Sequence, residues 1–491
     1  MSADPDLKRK TFVATVWSVI RSAWGSVATL VLFIVMARLL GPRDFGLFAL
    51  ASVMVEVART LAAAGLGDAV IRRKDLDASF LDTAFWATMA LSVLMGAAMF
   101  LLAPLYAQFM QEPELTLVLQ VLAFTLPLGS LGAIHGARLA REFKHSRLAM
   151  LAIATSLVSS GIAVILAWQG LGIWALVAQA ATGSLLTTLF AWWYMPWVPG
   201  LRFRASLIRE LASFSISMSL TQLLWMLLVR IQDVFIGRWY GSEAVGTYRV
   251  AWRMIELVAQ SFLSPLAGVS LVTFANLQDD KPRLAAVYSR VVGTASLITF
   301  PMLLGFGAVS DIAIPLVFGP EWWSAAPVAQ ALTLMVIPFV FNFFAGPALT
   351  AVNRPQAVLM VAAFQVVTML LLTWLLVPYG LVAVAVAYVV RAYLTMPLQQ
   401  YNLFKHTGTT FPSVVRAVWP ALASATLMAI AVRLAVLELL AVYGISWTSA
   451  LTAVIFGALV YTALIILLGR GQLRQIGDVI ASVMARRGST T

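Results

Sequence analysis

A stretch near the start of the chain, Arg38-Leu-Leu-Gly41-Pro-Arg-Asp-Phe-Gly46-Leu-Phe48, returns 200 residues later as Arg238-Trp-Tyr-Gly241-Ser-Glu-Ala-Val-Gly246-Thr-Tyr248. The same offset pairs Ala51 with Ala251, Met54 with Met254 and Glu56 with Glu256, without a gap. Each copy sits between long apolar runs, where glycine permits a tight reversal and Asp44 or Ser242 can cap the following helix. The repeat therefore predicts a chain built twice over from helical hairpins.

With 61% hydrophobic and only 11% charged residues, and a mean hydropathy of +0.91, too little polar surface exists to cover a soluble globule. Apolar segments able to cross roughly 30 Å of hydrocarbon number about fourteen by length. The first lies at 12–37 and the last at 446–469. Because Arg21 interrupts the first run and no small-residue cleavage site follows it, that run reads as a retained span. The expected fold is an all-α polytopic membrane protein of about fourteen transmembrane helices. Two pseudo-symmetric six-helix lobes, 1–200 and 201–405, precede an additional helix pair and tail at 406–491. Six spans separate the repeated hairpins, so the lobes share an orientation about an axis along the membrane normal.

Charge tests this order independently. With the N-terminus cytoplasmic, the inner loops collect basic residues from Lys8, Arg9 and Lys10 through Arg138, Arg141 and Lys144 to Arg470 and Arg474, whereas the outer loops hold Arg38, Arg43 and Arg238. That asymmetry follows the positive-inside rule and places both termini in the cytoplasm. The net charge of +12 thus reflects membrane orientation and does not call for nucleic acid. The chain has no cysteine, and its three histidines, His135, His145 and His406, are scattered. No metal site, cofactor or catalytic constellation is expected.

Arg21, Arg59, Arg230, Arg249, Arg253, Arg290, Arg391 and Arg433 fall inside spans. Facing lipid, they would together cost on the order of 20 kcal/mol at roughly 3 kcal/mol each. Arg21 and Arg59 share a depth near mid-membrane, while Arg249, Arg253 and Glu256 share a face of the eighth span. These faces predict a cationic cavity, with Arg21, Arg59, Arg249 and Arg253 as its anion-binding residues, since a guanidinium fork suits phosphate or pyrophosphate. Aromatic and amide groups at Trp17, Trp24, Gln222, Trp225, Gln232, Trp252 and Gln260 offer surfaces for a sugar. Glu56, Asp68, Asp233 and Glu256 can carry a coupling ion or pair with arginines; Glu56 with Arg59, Asp233 with Arg230, and Glu256 with Arg253 or Arg249 have helix-neighbour spacing.

Ala37 to Leu50, Gly65-Leu-Gly-Asp-Ala-Val-Ile-Arg72 and Asp233-Val-Phe-Ile-Gly-Arg-Trp-Tyr-Gly241 carry a resemblance. The chain resembles the polysaccharide transporter (Wzx-like) family of the multidrug/oligosaccharidyl-lipid/polysaccharide exporter superfamily. Arg141-Glu-Phe-Lys144 and Gly172-Ile-Trp-Ala-Leu-Val177 are similar to those of exopolysaccharide and colanic-acid-type exporters. The resemblance implies a flippase that moves an undecaprenyl-pyrophosphate-linked oligosaccharide across the bacterial inner membrane by alternating access, for exopolysaccharide, capsule or O-antigen assembly. It also implies membrane-lipid contact and partnership with a polymerase and chain-length machinery. The alternatives are a cation-coupled multidrug antiporter of the same superfamily and a membrane glycosyltransferase or polymerase. The transferase would need an outer-loop constellation, for which the predicted connection Val309 to Ser324 offers Asp311 and Glu321 without a histidine.

Overall fold

The computed structural model describes residues 28–63, 65–73, 76–142 and 144–471. Arg21, Trp17 and Trp24 lie outside them. All regular structure among the described residues is helical. Among the described residues, eleven helices are long and apolar enough to cross a membrane, or twelve counting Ala325–Thr333 and Val336–Ala351, a pair bent by 60°, as one span. Some exposed tryptophans stand at or beside helix ends, Trp168, Trp193, Trp323 and Trp447 among them. Indole rings collect at that level because they carry an apolar body and a polar tip.

The first hairpin joins α1 (Ala28–Leu39) to α2 (Pro42–Ala63). Proline suits the first helical turn, and it drives the preceding residue out of the helical region, so the reversal falls at Leu40-Gly41. The helix α3 (Leu66–Arg72) continues the descent. Next come α4 (Ala78–Met110), α5 (Glu114–Ala123), α6 (Thr125–Arg141), α7 (His145–Trp168) and α8 (Ile173–Tyr194). The second hairpin lies within α9 (Ala205–Val258), which breaks at Gly241 with φ 80 and ψ 179. Only glycine takes that backbone cheaply. The repeat read from sequence is thus a repeat of structure.

The two copies also touch. A Cβ built on Gly46 would stand 1.6 Å from the Ser242 carbonyl oxygen, and one on Gly246 would stand 2.0 Å from the Pro42 carbonyl oxygen. Because Pro42 and Ser242 are themselves repeat equivalents, the contact is reciprocal, each hairpin presenting the same glycine to the same carbonyl of the other. Such close backbone approach is how helices associate where lipid removes the hydrophobic drive.

Capping departs from expectation. Asp44 lies within the first turn of α2, but its carboxylate accepts the backbone N–H of Ile173 at the start of α8. The second hairpin is capped from outside, by Glu112, whose Oε1 accepts the Ser242 N–H at 3.1 Å. Both carboxylates meet exposed N–H groups at the positive end of a helix. The motif arginine Arg141 does the complementary job, donating to the Val70 carbonyl at 2.9 Å near the end of α3.

Contacts divide the chain into two compact units, Met1–Gly246 and Thr247–Thr491. In the first, Leu66, Val70, Phe80, Phe85 and Ile134 form a buried core among α3, α4 and α6. His135 serves that core: it stacks on Trp192 with ring centroids 4.5 Å apart, and its Nε2 meets the Trp197 carbonyl at 2.9 Å. The Pro199-Gly200 segment is pinned to α4, where Asp82 accepts the Gly200 N–H at 2.9 Å.

The second unit continues from α9 through a π-helical turn, Ala259–Leu263, into α10 (Ser264–Ala275), whose Pro265 removes a donor the preceding turn would use. There follow α11 (Lys281–Phe318), α12 (Ala325–Thr333), α13 (Val336–Ala351), α14 (Pro355–Leu376), α15 (Leu381–Thr407), α16 (Phe411–Tyr443) and α17 (Trp447–Leu468). Ile312, Met428, Val432 and Ala453 form a core where α16 packs between α11 and α17. Most of the predicted outer connection Val309 to Ser324 is helix, since α11 runs on to Phe318. Asp311 is accommodated there by pairing: it takes the Arg433 guanidinium on one oxygen and Gln330 Nε2 at 2.8 Å on the other.

Candidate functional site

Phe48, Ser52, Val55, Glu56, Arg59 and Ala62 recur along α2 at intervals of three and four, which puts them on one helix face. That face lines a cavity of ≈ 590 Å³ in the first unit. The opposite walls are similar stripes of small and hydroxyl residues, including Thr125 and Ser130 on α6 and Gln179, Gly183 and Ser184 on α8. Small side chains leave the space, and hydroxyls make it wettable.

Many of the hydroxyl protons are already committed. Ser52 donates to the Phe48 carbonyl at 2.7 Å, Thr88 to Ala84 at 2.8 Å, Ser130 to Pro127 at 2.7 Å and Ser184 to Thr125 at 3.0 Å. A hydroxyl whose proton is spent keeps its oxygen lone pairs. The cavity therefore presents acceptors, which complement a ligand rich in O–H donors.

Its ionic groups are unequal. Glu56 is held by Arg230 of α9 through a bidentate pair, Nε to Oε2 at 2.9 Å and Nη2 to Oε1 at 2.6 Å. Arg230 Nη1 also stands 3.7 Å from Asp233. The partner of Glu56 is therefore Arg230, on another helix, and not Arg59. The fork geometry explains the choice: two parallel N–H donors facing two carboxylate oxygens are stronger than a single contact along one helix. Arg59 lines the same cavity, is exposed, and makes no ion pair among the described residues. It is thus the cavity-lining charge available to a ligand. Asp68, on α3, does not line the cavity.

In the second unit, Glu256 gathers its neighbours. Arg253 Nη1 donates to it at 2.8 Å and Trp252 Nε1 at 3.1 Å. The Trp252 ring meets Tyr388 edge-on at 4.6 Å, and Arg391 lies over Tyr388 at 4.3 Å. Arg253 is therefore engaged by a carboxylate one turn away. Arg249 occupies the same helix, half-buried. Arg21 lies outside the described residues.

The hydroxyl stripes and the Glu56–Arg230 pair escaped the sequence reading. The stripes carried a signal, the three-and-four spacing of small residues along α8, but that spacing serves a helix contact as well as a cavity. Nothing in the sequence pairs residues 174 positions apart.

The described residues form an all-helical polytopic membrane fold, and solved structures share it. The "Lipid II flippase MurJ, inward closed conformation" superposes with a TM-score of 0.74 at 12% identity, covering 94% of this chain and 100% of that one. An inward-facing multidrug resistance MATE family transporter of the MOP superfamily gives 0.62 at 17% identity, covering 81% and 96%. Residues 35–327 match the polysaccharide biosynthesis protein family, Polysacc_synt_3, to which this chain belongs. That membership agrees with the resemblance carried by the hairpin motifs. Among curated relatives, the succinoglycan biosynthesis transport protein ExoT of Rhizobium meliloti is 25% identical, with 97% of each chain covered. The lipopolysaccharide biosynthesis protein WzxC of Escherichia coli is 26% identical, with 67% of each covered.

Proposed function

We propose that this protein is a flippase that carries an undecaprenyl-pyrophosphate-linked oligosaccharide across the bacterial cytoplasmic membrane for exopolysaccharide, capsule or O-antigen assembly. The observation that carries this reading is a hydroxyl-lined cavity in which, among the described residues, the lining carboxylate Glu56 is paired with Arg230 and Arg59 makes no ion pair. Acceptor oxygens suit sugar hydroxyls, and a guanidinium suits pyrophosphate. Membership of the polysaccharide family and relatives named for succinoglycan transport and lipopolysaccharide biosynthesis support the cargo.

In this proposal the lobes 1–200 and 201–405 alternate the cavity between the two membrane faces, and 406–491 is the added pair and tail. Both termini are cytoplasmic. Arg21, Arg249 and Arg253 join Arg59 in holding the anion, while Glu56, Asp68, Asp233 and Glu256 serve as coupling or pairing carboxylates. The protein is a transporter and not an enzyme, and it hands its cargo to a polymerase with its chain-length machinery. The antiporter alternative needs an unpaired carboxylate for a cationic drug, and Glu56 is engaged by Arg230. The transferase alternative is weakened by Asp311, whose oxygens are taken by Arg433 and Gln330.

Reconstitution tests this. Proteoliposomes carrying a fluorescent polyprenyl-pyrophosphate oligosaccharide should show protein-dependent leaflet exchange, slowed at least tenfold by Arg59→Ala and partly restored by Arg59→Lys. Absence of exchange by the wild-type protein, with efflux of cationic drugs instead, would overturn the proposal.

A further inference from the structure

A second cavity, of ≈ 520 Å³, lies wholly in the second unit, where α11, α16 and the end of α17 converge. Arg290 of α11 and Arg416 of α16 both line it, together with the hydroxyls of Ser289, Thr294 and Ser413. Among the described residues its lining includes no acidic residue, and neither arginine forms an ion pair.

The geometry is built, not incidental to loose packing. A Cβ on Gly293 would stand 2.8 Å from the Ala417 carbonyl oxygen, so the two helices cross at backbone contact. One turn away, the Ser289 and Ser413 hydroxyls meet at 3.2 Å. From that crossing the helices hold their arginines toward the same space. Counting about 1.5 Å per residue, Arg416 lies roughly 8 Å along α16 and Arg290 roughly 14 Å along α11 from their first residues. The cavity therefore opens near the membrane surface where α11 and α16 begin and α17 ends, a surface that also carries Lys281, Arg283, Lys405 and Arg470. Leu297, Pro420 and Leu468 give its remaining wall an apolar character, and outward of it Trp419 and Leu467 are exposed.

We infer that Arg290 and Arg416 form a binding site for the phosphate head of a membrane lipid, whose hydrocarbon tail lies along the apolar outer surface of α16 and α17. Two guanidinium groups among hydroxyls offer the donors that phosphate oxygens take. Basic pockets between helices near a membrane surface collect such heads. A soluble anion would make no use of the apolar wall. The shared chemistry is a phosphate ester on a long apolar tail, and it belongs equally to a glycerophospholipid of the bilayer and to a polyprenyl phosphate. This inference is separate from the cargo proposal, because none of its residues is among those proposed to hold the cargo and export is not its readout.

Native mass spectrometry of the full chain in detergent tests it, with phosphatidylglycerol, undecaprenyl phosphate, dioleoylglycerol and inorganic phosphate as probes. One or both phosphate lipids should be retained, dioleoylglycerol should not, and Arg290→Gln with Arg416→Gln should weaken retention at least tenfold. The better-retained phosphate lipid then identifies the source. Equal retention by the wild-type and doubly substituted proteins, or dioleoylglycerol retained like the phosphate lipids, would overturn the inference. Inorganic phosphate binding as tightly as either lipid would do so too. Should the double variant fold poorly, the wild-type protein alone decides: phosphate lipids must raise its melting temperature and dioleoylglycerol must not.

Discussion

Arg230 is the residue on which the charge balance of the first unit turns. It grips both oxygens of Glu56 and approaches Asp233. Removing the guanidinium leaves a half-exposed and a fully buried carboxylate short of donors, whereas removing a carboxylate strands only one partner. Arg230→Gln is therefore expected to destabilise the protein by about 3 kcal/mol and Glu56→Gln by about 2 kcal/mol. Replacing both with apolar residues of similar volume, Glu56→Leu with Arg230→Met, should recover part of that loss. Thermal unfolding in detergent measures the order; equal losses from the two single variants would remove Asp233 from the account. The approach of Arg230 to Asp233 was legible in the sequence from its three-residue spacing; the fork on Glu56 was not, since Glu56 and Arg59 had the spacing of a pair and Arg230 lay far off. Helix spacing ranks neighbours along one helix and is silent on which other helix supplies the better fork.

At the scale of elements, the hairpins carry the argument. Ideal Cβ positions on Gly46 and Gly246 fall inside van der Waals contact with the Ser242 and Pro42 carbonyl oxygens. Even one methyl must push the two hairpins apart, at about 1–3 kcal/mol for an overpacked contact. Gly46→Ala and Gly246→Ala should each destabilise the protein by that amount, with the double variant less than additive because the first methyl already opens the crossing. Additive losses would mean that the glycines act independently. The repeat itself was legible, because glycine, arginine and glutamate recurring in register are not what apolar helices supply by chance. That the copies pack on each other was not, since a glycine fit for a turn and a glycine fit for a helix crossing look alike in sequence. The caps were misread for a related reason: Asp44 has the right type and place to cap its own helix, but α8 offers its first N–H groups within reach.

For the whole molecule, hydropathy was enough to read the span order among the described residues. Helices follow the expected segments, including the bent pair Ala325–Thr333 and Val336–Ala351 in place of one straight span. Asp311 shortened the predicted span because an ionic side chain lowers hydropathy, though a partner makes it tolerable. Orientation gives a direct prediction. As the natural chain lacks cysteine, Tyr379→Cys and Lys405→Cys each add a single thiol at an exposed position. An impermeant maleimide applied to intact spheroplasts should label Tyr379→Cys and spare Lys405→Cys; the reverse pattern would invert the topology.

In the proposed function the first-unit cavity receives a lipid-linked sugar through Arg59. Its most direct test is mass spectrometry of polyprenyl-linked glycans and surface polymer in cells lacking the protein, complemented with wild type or with Arg59→Ala. The account predicts that a polyprenyl-pyrophosphate oligosaccharide accumulates and surface polymer is lost without the protein, that wild type reverses both, and that Arg59→Ala inserts normally and reverses neither. Full restoration by Arg59→Ala, or glycolipids unchanged by loss of the protein, would contradict it.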